Sequence, residues 1–424
     1  MGNLDYTQVL NKIENTRRFG NEPGVVVTAQ VIKVLREKGK QKRIIPYIHV
    51  AGTNGKGSVC AFFSSILKKE HMRVGTFVSP HLVDFEERIT VDGRMIPKED
   101  VTRLGNYLLD IDFGIGLTMF DYCLAMALLY FEEQQCDYMV IETGLGGRLD
   151  STNAIGTPQC AVITKIGYDH MAILGSDIAD IAAEKAGIIK ENSTVVVEQQ
   201  DKRAMQVIKQ EAQKKHARII TVEQSDIARC SGYALRLCGT FQWENAAAAE
   251  LAARYVLGKR YSGPEYEIQY DKTEPKSEET DLNDRIKSAL EEAVWPGRME
   301  IVSKEPFLLV DGAHNSNGVD ALKESLMQMY PGEKFCFFMG VMADKDYDVM
   351  IREILPLAEE FYTVTPDSDR ALQASHLADF IRKEGVCATE LSGVDEIGRH
   401  LKRDTKNVAF GSLYFIGELK QHRI

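Results

Sequence analysis

Lys56 stands between two glycines in Gly52-Thr53-Asn54-Gly55-Lys56-Gly57-Ser58, and its surroundings are those of a phosphate site. The apolar run Tyr47, Ile48, Val50 and Ala51 before it reads as a buried strand, and Ser64-Ser65-Ile66-Leu67-Lys68-Lys69 after it reads as helix. In that setting glycines let the backbone approach an anion. The helix N-terminus directs N–H groups and a partial positive charge at it, and the lysine adds a full charge. The common nucleotide pattern G-x-x-x-x-G-K-[ST] is missed strictly, because Gly57 separates Lys56 from Ser58. A glycine-rich turn that binds nothing is the competing reading. The strand, the helix and the lysine together favour phosphate.

Other residues with chemical potential lie at strand ends. Ser79 closes the short strand Val74 to Val78 before Pro80, where ligands collect in open α/β sheets. It could hold a metal or phosphate oxygen, or serve only the turn. Glu142 ends the apolar strand Tyr138-Met139-Val140-Ile141, as the Mg²⁺ carboxylate of nucleotide enzymes does, and the loop Thr143 to Asp150 follows with three glycines. His170 follows the strand Ala161 to Thr164, either as a metal ligand or as an ordinary satisfied polar group. Lys185 lies among small and apolar residues, either buried and chemically altered or snorkelling to solvent. Arg17 and Arg18 precede a break at Phe19–Gly24 and read equally as a helix end or as holders of an anionic substrate.

These residues need elements to position them. Segments 4–40, 98–112 and 119–135 read as helices, the last apolar nearly all round, so that Phe120 and Tyr122 are expected in the core. Asp177–Ala186 reads as a helix that stops at Gly187, and 201–215 and Ala246–Val256 as further helices, among strands at Val195–Val197 and Ile219–Thr221. Such alternation predicts an α/β fold with a doubly wound, mostly parallel sheet. Residues 261–285 carry eight acidic and three basic residues and read as a mobile loop or short excursion. At Trp295-Pro296-Gly297-Arg298 the pattern restarts. Strands are expected at 298–303, 307–311, 334–340, 360–365 and 407–411. Helices are expected at 317–330, 346–357, 375–384, 394–403 and 412–421. We therefore expect a phosphate-loop domain over 1–294 and a smaller Rossmann-like α/β domain over 295–424.

Bulk properties bound the function. The 424 residues carry a net charge of −11, which argues against a general nucleic-acid or anionic-membrane surface. No apolar stretch reaches the roughly 18 residues of a membrane span, and the N-terminus lacks signal-peptide regions, so a cytoplasmic protein is expected. Eight cysteines form no C-x-x-C pair, and most are expected to be small core residues.

Taken in order, the motifs resemble one family. Gly52–Ser58, Ser79-Pro80-His81-Leu82, Glu142–Asp150, Asp169-His170, Glu184-Lys185-Ala186-Gly187, Pro296-Gly297-Arg298 and Asp311-Gly312-Ala313-His314-Asn315 look like those of folylpolyglutamate synthase and its relative dihydrofolate synthase, in the Mur ligase superfamily. The resemblance runs from about Phe19 to Tyr414, and the extra Gly57 belongs to the family's phosphate loop. It implies an ATP-dependent amide ligase that joins L-glutamate to the γ-carboxylate of a folate, or to dihydropteroate, through an acyl phosphate. It implies that Thr53, Asn54, Gly55, Lys56, Gly57 and Ser58 cradle the ATP phosphates. Ser79, Glu142 and His170 match ligands of two Mg²⁺ ions, and Lys185 matches a lysine that is carbamylated. Asn245, Arg298 and Asp311, with His314 close by, match ATP contacts around a domain junction, so that the site would lie in a cleft completed by closure. A monomer is expected.

The chain departs from the family pattern at Phe241, where histidine is frequent, and at Asp121, where Phe-Glu is frequent. Rivals are dihydrofolate synthase alone, a Mur-type peptidoglycan ligase and a non-enzymatic phosphate-loop switch. The second is expected to carry a dedicated N-terminal domain, and only about 46 residues precede the strand that leads into the loop. The third would want Asn-Lys-x-Asp, but Asn11-Lys12 is followed by Ile13-Glu14.

Overall fold

The computed structural model describes residues 3–17, 20–258 and 276–422. Two compact units result, one from residues 1–234 with 244–293, the other from 235–243 with 294–424.

The first unit is built on an eight-stranded sheet. Its strands are β1 (Tyr47–Ala51), β2 (Val74–Phe77), β3 (Ile89–Val91), β4 (Arg94–Met95), β5 (Tyr138–Glu142), β6 (Cys160–Ile163), β7 (Thr194–Val197) and β8 (Arg218–Thr221). They lie in the order β4-β3-β2-β5-β1-β6-β7-β8, all in one direction except β3, which is antiparallel to both β2 and β4. Strands covered on both faces read as unbroken apolar runs, and Val195-Val196-Val197 is fully buried for that reason. The chain steps from β1 out to β2, returns at β5 beside β1, and then crosses to β6 on the far side. The winding therefore reverses at β1, and the crevice beyond the carboxyl end of such a strand is where this architecture holds ligands. Gly52–Ser58 begins there.

One sheet face carries two apolar clusters. Helices Tyr6–Glu14, Gly24–Glu37, Lys98–Leu109 and Met119–Glu133 pack with Tyr47, Phe77, Met139 and Ile141. Helices Ile178–Ala186 and Lys202–Lys214 pack with Ala51, Ala161, Ile163 and Val197. His49 stands between the clusters, in register with Ile141 on one side and Ala161 on the other. Against helix Lys56–Lys69 lies helix Lys276–Glu292, tied by Ser65 Oγ donating to the Ala289 carbonyl at 2.6 Å and by Arg285 to Glu70 at 2.7 Å.

The second unit has six strands, β9 (Glu300–Lys304), β10 (Phe307–Val310), β11 (Phe335–Met339), β12 (Ala358–Thr363), β13 (Cys387–Glu390) and β14 (Lys406–Phe410), in the order β13-β12-β11-β14-β10-β9. Only β9 is antiparallel to its neighbour. Phe337 centres its core, 5.2 Å from the Phe361 ring and 5.5 Å from the Phe410 ring.

Two expectations need correction. Residues 276–285, read as part of a loop or excursion, belong to helix Lys276–Glu292, and the earlier residues 261–275 of that stretch lie outside the described residues. The helix expected from Ala246 begins at Phe241, so Asn245 lies inside it. Helix Gln224–Ser231 and β13 were not anticipated. Among the described residues no helix is long and apolar enough to cross a membrane.

Candidate active site

The loop Gly52–Ser58 is shaped by the segment that follows β6. The Lys165 carbonyl accepts the N–H groups of Thr53 and Asn54 at 2.9 and 3.2 Å. Thr164 Oγ1 donates to the Asn54 carbonyl at 2.7 Å, and Thr53 Oγ1 to the Gly167 carbonyl at 3.0 Å. Two glycines are required by close approach. A Cβ on Gly52 would lie 1.8 Å from Thr164 Oγ1, and one on Gly55, at φ 92°, would lie 2.2 Å from Asn245 Oδ1. These contacts keep the loop narrow and leave its backbone as the surface that meets an anion.

Helix Lys56–Lys69 starts directly from this loop with no side-chain cap. Its first N–H groups have no acceptor inside the helix, and its macrodipole puts positive charge at this end. Lys56 Nζ donates to the Thr53 carbonyl at 3.2 Å and lies 3.8 Å from Glu142 Oε1. That separation exceeds a charge-assisted hydrogen bond of about 2.8 Å, so the two ends attract without closing on each other. Glu142 is buried, and its Oε2 accepts the Ser79 N–H at 3.2 Å. Lys56, Ser79 and Glu142, far apart in sequence, thus meet at one edge of the sheet.

Lys185 joins this group from helix Ile178–Ala186. It is buried, and Nζ donates to the Gly52 carbonyl at 2.9 Å. Burial, with a further push from the charge of Lys56, lowers its pKa to about 7. A large share of the amine is therefore neutral near neutral pH, which is the nucleophilic form. The buried reading of this residue holds and the snorkelling one does not.

His170 heads the short helix Met171–Leu174 in a left-handed conformation, φ 51°, with Nε2 3.9 Å from Asp169 Oδ1 and the side chain 37% exposed. Among the described residues no three His, Cys, Asp or Glu side chains form a metal-holding group. A buried carboxylate at a strand end, Glu142, is instead a donor that suits Mg²⁺. That ion keeps several waters and takes one or two carboxylates together with substrate phosphates.

In the second unit, Asp311 follows β10 and is buried. Its Oδ2 accepts the Met299 N–H and its Oδ1 the Ala313 N–H, both at 2.8 Å. Burial raises its pKa, and the charge of Arg298 opposes that shift. His314 Nδ1 lies 2.8 Å from the Gly312 carbonyl, and a Cβ on Gly312 would come within 2.5 Å of Arg298 Nη1. Arg298, Asp311 and His314 therefore form one group. Asn245 belongs to the first unit, against Gly55. Arg17 donates to Asn21 Oδ1 at 3.0 Å, and Arg18 lies outside the described residues. Phe120 packs at the rim of the first core, 5.5 Å from the Phe77 ring.

Two features escaped the sequence reading. Thr164 and Lys165, which brace the phosphate loop, give a local signal only in their place at a strand's carboxyl end. His49, inside β1, is buried and faces Thr152, which gave no signal at all. Burial lowers the His49 pKa to about 3 from an ordinary 6.5. Between those values the unfolded chain binds a proton that the folded chain does not, so stability falls as pH drops below 6.5. By pH 5 the loss amounts to about 2 kcal/mol. In denaturant melts the stability of wild type relative to His49→Phe should therefore fall by about 2 kcal/mol between pH 7 and pH 5. A constant difference would show that His49 does not remain neutral.

Residues 50–253 match the Mur ligase middle domain and residues 297–408 the glutamate ligase domain of Mur ligases. The chain is 33% identical to the dihydrofolate synthase/folylpolyglutamate synthase of Bacillus subtilis over 98% of each chain. Folylpolyglutamate synthase of Mycobacterium tuberculosis, solved with ADP and AMPPCP, superposes with a TM-score of 0.83 at 25% identity, covering 99% of this chain and 98% of that one. The bifunctional synthase of Yersinia pestis, solved with AMPPNP and a Mn ion, gives 0.81 at 25% identity, with the same coverage. The class defined by fold and site is the Mur ligase superfamily. Within it, the chain belongs to the folylpolyglutamate synthase/dihydrofolate synthase family.

Gly55 offers a direct test of the cradle. Alanine there must hold a left-handed backbone, which costs about 1–2 kcal/mol, and must displace Asn245. Gly55→Ala should weaken binding of a non-hydrolysable ATP analogue on the order of 10-fold by calorimetry while the circular dichroism stays native. Unchanged affinity would place the nucleotide elsewhere.

Proposed function

We propose that this protein ligates L-glutamate to the γ-carboxylate of a folate, using ATP as the second substrate. The approach of Lys56 to Glu142, on a glycine loop at the point where the sheet reverses its winding, carries this reading. It is supported by the full-length similarity to synthases named for this activity. A carboxylate is a poor acyl donor. Transfer of the γ-phosphoryl group to it makes an acyl phosphate, the α-amine of glutamate attacks the carbonyl carbon, and phosphate leaves with the C–O bond electrons. Loss of the ammonium protons completes the amide.

This chain's residues do the positioning. Lys56 and the backbone of Thr53–Ser58 hold the transferring phosphates and neutralise charge that develops on them. Ser79, Glu142 and His170 would hold two Mg²⁺ ions, with Glu142 near both and a carbamylated Lys185 supplying an anionic oxygen. The low-pKa amine of Lys185 supports that modification. Bound there, Mg²⁺ would supply charge neutralisation at the phosphates. Asn245, Arg298, Asp311 and His314 are assigned to ATP. Residues 1–294 would form the ATP-binding domain and 295–424 the glutamate-ligase domain, in keeping with the two matched domains. We place the enzyme in the cytoplasm as a monomer.

Dihydropteroate as a second acceptor is favoured by the double name of the Bacillus subtilis relative. A panel of dihydropteroate, dihydrofolate and tetrahydrofolate, each with ATP and L-glutamate and with products sized by mass spectrometry, tests both. Glutamate addition to tetrahydrofolate is expected. Addition to dihydropteroate alone would leave only the dihydrofolate synthase activity, and addition to none would refute the ligase reading.

A further inference from the structure

His49 is a polar ring in the middle of an apolar strand, fully buried, and none of the roles assigned above uses it. Its Nε2 lies 2.8 Å from Thr152 Oγ1, and its Nδ1 has no hydrogen-bond partner. Thr152 Oγ1 in turn lies 2.5 Å from Asp150 Oδ1, which also accepts the Thr152 N–H at 3.0 Å. The other oxygen of Asp150 accepts the Leu145 N–H at 2.8 Å.

The proton inventory orients this chain of contacts. Burial raises the Asp150 pKa, but the carboxyl takes backbone N–H groups on both oxygens, which oppose that rise and favour the carboxylate over the carboxylic acid. A threonine hydroxyl has one proton, and the short contact to Asp150 claims it. Thr152 Oγ1 must then accept from His49, so the ring carries its proton on Nε2. Nδ1 is left as a bare lone pair in a dry interior, which costs stability. The strand thus gives up an apolar residue to place one N–H donor behind Asp150, and Asp150 anchors the loop that begins one residue after Glu142.

Resting on the ligase reading, we propose that His49 and Thr152 are positioning residues for the reaction: they fix the Asp150 carboxylate, which holds the backbone of the glycine loop 144–147 behind Glu142. The phosphate loop does not share this support, because Thr164 and Lys165 brace it. Loss of the relay should therefore appear in turnover and not in ATP binding.

Steady-state kinetics with ATP, tetrahydrofolate and L-glutamate on His49→Phe, His49→Gln and Thr152→Val, beside ¹⁵N NMR of the imidazole in the wild type, test this. His49→Phe and Thr152→Val should each lower kcat on the order of 10- to 100-fold while KM for ATP stays within about 2-fold. The double variant should be no worse than either single one. His49→Gln, whose amide nitrogen can sit near the Nε2 position, should recover most of the turnover. The wild-type spectrum should show the Nε2–H tautomer. Wild-type kcat in folded Thr152→Val, or an Nδ1–H tautomer in the wild type, would overturn the proposal. Should His49→Phe fail to fold, Thr152→Val and the tautomer still decide it. A wild type that ligates no glutamate defeats the ligase reading, and with it the proposal, even where the spectrum shows the Nε2–H tautomer.

Discussion

Glu142→Gln should fold normally and lose ligation on the order of 1,000-fold. The substitution keeps shape and volume, and the glutamine carbonyl can still accept the Ser79 N–H that Glu142 Oε2 takes at 3.2 Å. What disappears is a buried negative charge 3.8 Å from Lys56. Without it the proposed Mg²⁺ site would lose its buried carboxylate, and Lys56 loses the charge that faces it. A thermal melt close to that of wild type, together with turnover near background, is the expected pair of results. Near-normal turnover would remove Glu142 from the metal site.

Lys185→Ala should lower turnover on the order of 100-fold, and acetate or propionate should restore part of it. An amine that donates to the Gly52 carbonyl in a dry setting, with Lys56 nearby, is held near a pKa of about 7. The neutral amine can attack carbon dioxide, lose a proton and become a carbamate, which puts one negative charge, shared over two oxygens, beside the phosphate loop. Alanine removes the stem and leaves a space in which a small carboxylate can present the same oxygens. Rescue should saturate with carboxylate concentration and should be absent in the wild type. Full activity without any added acid would make Lys185 a structural residue.

What the sequence disclosed and what it concealed follow from the range of the interactions involved. Gly52–Ser58 and Glu142 are legible because their setting is local: an apolar strand, then residues that cannot continue it. The burial of Lys185 is suggested by its small and apolar neighbours, but its contact with the Gly52 carbonyl joins residues 133 apart. His49 is hidden for the same reason, since its partner Thr152 lies 103 residues away and the strand around it reads as plain core. Helix Lys276–Glu292 is hidden differently. Its buried residues Leu282, Ile286, Ala289 and Leu290 recur at helical spacing, but three of the four lie beyond residue 285, and the acidic residues of 261–285 dominate the average over that stretch. The early start of the helix at Phe241 depends on a distant contact, the Thr240 N–H donating to Ser325 Oγ at 3.0 Å. The alanine run from residue 246 is only its most legible part.

The most direct test of the central claim is phosphate release from ATP, followed continuously with tetrahydrofolate and L-glutamate added singly and together. The account predicts release only when both are present, in equal amount to the glutamate joined. Release that proceeds at the same rate with neither would contradict it.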